Sequence, residues 1–445
     1  MFPQRRTPVR VSPACSPAFS STGKAGNSNG LEKTPPVSRT PRCVDGHLLT
    51  TLPLCKECLL SNQHKVHSLI GRIDMPRMRC AFKAVKRNRG AAGVDKVDIR
   101  AFEANLEQNL SALMLDLKYP HRYHASPLRR VYIPKGEGKL RPLGIPTVRD
   151  RVAQEVIRSL LEPIFEPLFS ESSFGFRPGR NAHQAIQAVI AAQKRRYRWV
   201  VDADIQSFFD TIPHDLIINL VAEQVADGSI LNILREFLSA GVMEDFAFLP
   251  TLSGTPQGGV ISPLLANIVL NLLDQRLTQA GYFFVRYADD FVVLCRNHAR
   301  AKQALDFVDN VLRQDLGLSL SPNKTRITNF AEGFDFLGFH LTRRRASVRL
   351  KSIEKLKDKV RTLTVRCHNL DHDAIQKLNR VLLGFAHYFA TQWSTIRDQF
   401  VLLDHWIRMR VRSMKFKHIS KGDNRRWSNR NLSHIGLVSL SGQLA

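Results

Sequence analysis

What this chain lacks narrows its class before any motif is read. No apolar run approaches the ~20 residues needed to cross a bilayer as a helix, which excludes a membrane-spanning protein of that kind. Acidic residues are scarce: 39 Asp and Glu stand against 65 Lys and Arg, leaving a net charge of +26 spread along the whole length. Such a surplus is the footprint of a protein that wraps a polyphosphate, and binding of that kind weakens steeply as salt rises and counterions are released. Cysteines are few and odd in number, seven in 445 residues, which speaks for free thiols in a reducing compartment. Cys55-Lys56-Glu57-Cys58 with His64 and His67 nevertheless offers the donors of a zinc site. Residues 1–45 are nearly free of acids, rich in Ser, Pro, Arg and Thr, and without apolar period. That composition fits a disordered tail, an organellar transit peptide, or a generously assigned start codon in a bacterial protein.

The chain is long enough for two or three domains. Residues 61–126 carry a helical pattern, as in the spacing of Leu106, Leu110, Leu113 and Leu117. Residues 127–345 mix short strands with helices. Beyond them, residues 353–365, 373–390 and 396–414 each set an apolar face against many Lys and Arg, the pattern of a basic helical bundle.

Tyr287-Ala288-Asp289-Asp290 holds two adjacent carboxylates between two β-type apolar runs, Tyr282 to Arg286 and Phe291 to Cys295. On a continuous strand the two acids would face opposite ways, whereas a turn between Ala288 and Phe291 lets both reach one edge of a sheet. Crowded acids repel unless a cation neutralises them, and Mg²⁺ is the natural hard-oxygen partner. Taken alone, the segment fits a solvated acidic hairpin equally well. A second acid site adds weight. Trp199-Val200-Val201-Asp202-Ala203-Asp204-Ile205 reads as a buried strand with Asp202 and Asp204 on one face, and it lies about 85 residues before Asp289. Two strands ending in carboxylates can meet only through the fold, and a two-metal phosphoryl- or nucleotidyl-transfer site needs such a meeting.

At this point the chain resembles the reverse transcriptases of group II introns. The matching blocks run in family order. Arg89-Gly90-Ala91-Ala92-Gly93-Val94-Asp95 comes first, followed by Lys139-Leu140-Arg141-Pro142-Leu143-Gly144-Ile145-Pro146 and Ser173-Phe174-Gly175-Phe176-Arg177-Pro178-Gly179-Arg180. After the Asp202 to Asp210 segment come the run from Gly254-Thr255-Pro256-Gln257-Gly258-Gly259 to Leu265 and the Tyr287 motif. Ser321-Pro322-Asn323-Lys324-Thr325 and Phe336-Leu337-Gly338-Phe339 complete the set, and the resemblance covers roughly residues 60 to 430. It implies an α+β fold: a right-hand polymerase whose fingers and palm contain an antiparallel sheet, followed by an α-helical thumb, also called the X or maturase domain. The implied organisation is a tail over 1–60, a helical extension over 61–126, fingers and palm over 127–345, the thumb over 346–430 and a C-terminal tail over 431–445. It argues against zinc, because Gln63 to Leu69 looks like the start of the N-terminal extension.

By motif position, Asp204, Asp289 and Asp290 resemble the catalytic carboxylates, with the Ile205 carbonyl as a further ligand of two Mg²⁺ ions, for which Mn²⁺ could substitute. Asp202 shares the Asp204 face, but the family pattern puts the ligand at Asp204. Arg141 and Lys135, on a fingers hairpin turned by Gly136-Glu137-Gly138, resemble the clamp on the incoming triphosphate, a task that suits the planar guanidinium fork. Phe209 occupies the place of the ring that excludes a ribose 2′-hydroxyl, although a Phe at a strand end also suits plain core. Gln257, in a Gly-rich bend, is expected near the nucleotide. Lys324 resembles the lysine proposed to protonate pyrophosphate, and it also suits a surface charge.

The resemblance implies an RNA-directed DNA polymerase that takes dNTPs, an RNA template and a DNA primer or target, and that binds intron RNA to assist splicing and retrohoming. The rivals are a free-standing polymerase of the same type in defence or repair, and an RNA-binding splicing factor that has lost synthesis. The complete Asp204, Asp289 and Asp290 set speaks against the last. The only cysteine beyond Cys295 is Cys367, so the HNH endonuclease of many relatives is expected to be absent, as in the compact bacterial class. The thumb's usual Gly-Trp pair is Gly384-Phe385. Expected surroundings are the bacterial cytoplasm, with organellar import the minor alternative and no membrane; oligomeric state has no signature in these residues.

Overall fold

The computed structural model describes residues 65–136, 139–244, 247–251, 253–255, 258–420 and 422–444. The expected N-terminal tail, Cys55, Cys58 and His64 of the zinc candidate, the tip of the fingers turn and Gln257 lie outside the described residues, as does the side chain of Lys135.

Three helices open the described chain: Met75–Arg87, Ile99–Ala104 and Leu106–Lys118. Asp74 and Asp98 start the first two by accepting the Arg77 and Ala101 amides at 2.9 and 2.8 Å, which satisfies donors that a helix N-terminus leaves free. The buried Leu110, Leu113 and Leu117 lie one helical face apart and join the core around helix Val148–Phe165.

Strands β1 (Leu128–Gly136) and β2 (Lys139–Ile145) form an antiparallel hairpin. Strand β3 (Trp199–Asp204) belongs to the central sheet. The short strands β4 (Val242–Glu244) and β5 (Ala247–Leu249) extend the hairpin into a four-stranded sheet of order β2-β1-β4-β5. Strands β6 (Phe283–Tyr287), β7 (Asp290–Cys295) and β8 (Arg326–Asn329) complete the central sheet, order β6-β7-β3-β8, in which every pairing is antiparallel. A third small sheet of β9 (Phe334–Phe336), β10 (Phe339–Leu341) and β11 (Ala346–Val348) leads into helices Leu350–Leu363, His372–Phe389 and Arg397–Phe416. The architecture is α+β, with a helical region after the sheets.

The central sheet is covered on both faces, and its period of two sorts side chains between two cores. Val201, Ala203, Phe284, Phe291 and Val293 join the core that contains the N-terminal helices and helix Ser262–Gln279. Their neighbours Val200, Val285, Val292 and Leu294 join the core built with Phe336, Phe339, Leu356 and Leu382 of the C-terminal region. Strand runs buried on both faces are therefore apolar without alternation, which is why Phe291 to Cys295 looks uniformly hydrophobic. Residues 431–444, read above as a tail, pack down: Leu432 and Leu440 are buried in the second core. The buried Asp404 carboxylate accepts the Leu440 and Ser441 amides at 2.7 and 2.9 Å, which pins that segment to helix Arg397–Phe416. Among the described residues no helix is long and apolar enough to cross a membrane, and Cys80, Cys295 and Cys367 are free thiols.

Candidate active site

The two acid-bearing strands are direct neighbours. In the β3–β7 ladder Trp199 pairs with Cys295, and the register closes with Asp204 opposite Asp290. Counting by twos along each strand puts Asp202 and Asp204 on the Val200 face, and Asp290 on the Val292 and Leu294 face, which is the same side of the sheet. The turn lies one residue earlier than the stretch between Ala288 and Phe291 expected from sequence. Tyr287 pairs with Asp290, so the loop is the two residues Ala288 and Asp289 alone; Asp289 sits at the tip and Asp290 is already the first residue of β7.

This turn needs a positive φ at its first position, and Ala288 supplies it at +59°, in a region where a Cβ is disfavoured by about 1–2 kcal/mol. Several contacts hold it there. Arg286 is fully buried on the opposite face, its Nε and Nη2 donate to Asp274 at 2.8 and 2.5 Å, and its Nη1 donates to the Ala288 carbonyl at 3.0 Å and to Asn267 Oδ1 at 2.9 Å. The Asn267 amide in turn donates to the Gly175 carbonyl at 2.9 Å. The backbones of residues 172–174 and Arg286 bond at 2.9 Å in both directions. Gly175 must be glycine: a Cβ there would come within 2.2 Å of the Ala288 nitrogen. Sequence reading missed Arg286, Asn267 and Asp274. The available signal was a charged residue inside an apolar strand run, since a buried guanidinium demands a carboxylate partner.

Burial pushes the Asp289 carboxyl upward, and the charge of Asp204 adds to this while Arg141 and Lys324 oppose it. Arg141 of the β2 hairpin therefore acts on the same cleft as the acids. Asp290 opens into the cleft yet is hemmed by protein, and its carboxyl is pushed up to about 7 by desolvation, then by Asp202, Asp289 and Asp204, with Arg349 opposing. Lys324 Nζ lies 2.7 Å from Asp204 Oδ2, while Asp202 is held by Arg326 at 3.2 Å. The Asp204 carbonyl accepts the Ser321 amide at 2.7 Å, and the buried Ile205 bridges to Leu320. Phe209 is half-buried against the first core and packs edge-on against Phe208 at 5.2 Å. Its carbonyl accepts the Thr255 amide at 2.6 Å, and the adjoining Gly254, at φ +87°, leaves no room for a Cβ beside that carbonyl. The Gly-rich bend thus lies against the Phe209 segment.

The donor set is three carboxylates, hard oxygens whose mutual repulsion a divalent cation relieves, and in that chemistry the residues fit the ion. As the side chains stand, no three His, Cys, Asp or Glu among the described residues close around one point, and Lys324 takes the Asp204 carboxylate.

Asp290 gives a pH signature in the metal-free protein. Its folded value near 7 stands above the ~3.9 of an unfolded Asp. The protonated form therefore favours the fold below about pH 4, and that contribution is lost as pH climbs through about 7. Thermal unfolding in chelator should show the wild type losing stability relative to Asp290→Asn as pH rises from about 5 to 8; parallel curves would refute it. Arg286→Met strands a buried Asp274 and is expected to lower stability by about 3–5 kcal/mol in denaturant titration. A change below about 1 kcal/mol would show that the pair is dispensable.

Comparison with known proteins agrees with this geometry. A family model described as reverse transcriptase (RNA-dependent DNA polymerase) matches residues 133–341, and one described as the group II intron maturase-specific domain matches residues 353–433. Protein YkfC of Escherichia coli is 36% identical over 292 residues, covering 57% of this chain and 76% of that protein. The group II intron-encoded protein LtrA of Lactococcus lactis subsp. cremoris is 39% identical over 210 residues, which is 46% of this chain and 34% of LtrA. Among solved structures, a Candida albicans telomerase aligns at 12% identity and TM-score 0.41 over 76% of this chain and 66% of that one, too loosely to bear on function. Reverse transcriptases of this kind use a divalent metal and bind template and primer. With both models matched in order, the chain belongs to the group II intron reverse transcriptase/maturase family.

Proposed function

We propose that the chain extends a DNA primer on an RNA template with dNTPs, using Asp204, Asp289 and Asp290, and that its helical region binds intron RNA to assist splicing and retrohoming in the bacterial cytoplasm. The observation that carries the reading is the Asp204–Asp290 register pair with Asp289 in the adjoining turn. The three carboxylates and the Ile205 carbonyl are the groups that would hold two Mg²⁺ ions, or Mn²⁺. Bound there, the ions would supply Lewis-acid chemistry, activating the primer 3′-hydroxyl and stabilising the pyrophosphate that leaves.

The remaining roles belong to the chain's own side chains. Arg141 grips the triphosphate, and its influence on Asp289 supports this; Lys135 shares the task by its place in the motif. Phe209 excludes a 2′-hydroxyl, which its half-buried place against the Gly-rich bend supports. Gln257, by its place in the motif, is assigned to the nucleotide. Lys324 releases Asp204 as substrate enters and donates its proton to pyrophosphate; its 2.7 Å contact with Asp204 supports a position at the reacting phosphates. The maturase-specific match over residues 353–433, together with the basic faces of those helices, supports RNA binding beyond the template.

Asp289→Asn should slow primer extension on RNA on the order of a thousandfold with the fold intact, and an unchanged rate would end the proposal. Phe209→Val should raise ribonucleotide incorporation about 10–200-fold with little change for dNTPs, read as ribonucleotides per product. Equal discrimination in both proteins would return Phe209 to a core role.

A further inference from the structure

One cavity lies well away from the acids. It encloses about 590 Å³ where the end of helix Ala182–Lys194, the first residue of β3, the residues after β8, the β10–β11 turn and Trp393 converge. That is within the range of small-molecule and nucleotide pockets. Trp199 stands at the opposite end of β3 from Asp204, five residues along the strand, or roughly 17 Å. A primer terminus on the carboxylates does not fill this space.

The lining combines two chemistries. Lys194, Arg196, Arg198, Arg343, Arg344 and Arg345 are all exposed around it, no acidic side chain lines it, and among the described residues none of the six is ion-paired. Tyr197 and Trp393 are half-buried in the same wall, whereas the Trp199 side chain, on the Val201 face of β3, packs on the first core behind it. Both rings are braced from behind, Tyr197 by Phe283 at 5.4 Å and Trp393 by Phe339 at 5.0 Å. The two basic segments are tied together, because Gln193 donates to the Arg343 carbonyl and the Arg343 amide donates to the Phe330 carbonyl at 2.6 Å. The β10–β11 turn closes on itself through the Thr342 amide and the Arg345 carbonyl at 2.8 Å. Six like charges fixed around one cavity repel, so they call for a polyanion. Rigid aromatic faces inside such a ring offer stacking to unpaired bases, which an acidic peptide would not use.

We infer that this palm–thumb cavity binds an unpaired stretch of RNA, at a site separate from the template–primer cleft. The inference rests on the proposed role in carrying a structured RNA, which supplies unpaired loops at the same time as the cleft holds its substrate. The test loads the full-length protein with saturating RNA-template/DNA-primer hybrid ending in a dideoxynucleotide, then titrates a fluorescent 12-nucleotide mixed-sequence single-stranded RNA. Wild type should bind the probe. The triple variant Arg343→Ala, Arg344→Ala, Arg345→Ala should bind it about tenfold or more weakly, with a log-log salt slope shallower by about two. Extension of an unblocked primer by that variant should stay within about twofold of wild type, which separates failure of this site from failure of the polymerase reading. Probe RNA carrying 4-thiouridine should crosslink to peptides containing Tyr197 or Trp393. No binding to the loaded protein, equal binding by the variant, equal retention of DNA of the same sequence, or displacement by poly-glutamate better than by RNA would each overturn the inference.

Discussion

The Arg286 guanidinium, enclosed on every side and forked onto Asp274, is the contact on which the acid-bearing face depends. A hairpin that presents two carboxylates toward a third is opposed by their repulsion, and its first turn residue sits in a backbone region that alanine disfavours. Arg286 answers both from behind the sheet. It spends part of its fork on Asp274 and Asn267, and the rest on the Ala288 carbonyl at the bend. Period-two alternation makes this possible: Arg286 must face away from the cleft if Tyr287 is to face toward it. Gly175, stacked on the turn with no side chain, closes the same assembly from a third segment. Strands, helix Ser262–Gln279 and the Ser173 block are thereby fixed to one short loop.

On the other side of the sheet the electrostatics run the opposite way. Asp202, Asp204 and Asp290 share one face, and Arg326, Lys324 and Arg349 are the cations set against them. Lys324 and Arg326 are exposed, whereas the backbone register that aligns the acids is set by the β3–β7 ladder. A cleft built so is charged and poised, and burial among the other acids pushes the Asp290 carboxyl up to about 7. At the far end of β3 the sign is reversed, and six exposed cations surround braced aromatic rings.

Much of this was legible in the residues. The apolar runs on either side of Asp289 marked a hairpin, the alternation in Trp199 to Asp204 marked a shared face for Asp202 and Asp204, and the block order marked the family. Register was not legible: nothing local says that Asp204, rather than Asp202, stands opposite Asp290, because pairing between strands so far apart is set by the whole fold. The position of the turn was misjudged by one residue for a similar reason, since Asp290 is strand by virtue of its partner Tyr287. Arg286 went unread because a buried charge is recognised through its partner, and Asp274 belongs to a helix that its own periodicity marks only as apolar. Residues 431–444 looked like a tail for want of a long apolar period, yet Asp404 and two leucines hold them down.

The central claim is that Asp204, Asp289 and Asp290 form one divalent-ion site on the sheet. Its most direct test is the count of Mn²⁺ bound, by magnetic resonance titration, to protein holding a dideoxy-terminated primer on RNA with the next dNTP. Wild type is expected to bind two ions, and Asp290→Asn to lose at least one with its fold unchanged. The same stoichiometry and affinity in both proteins would contradict the account.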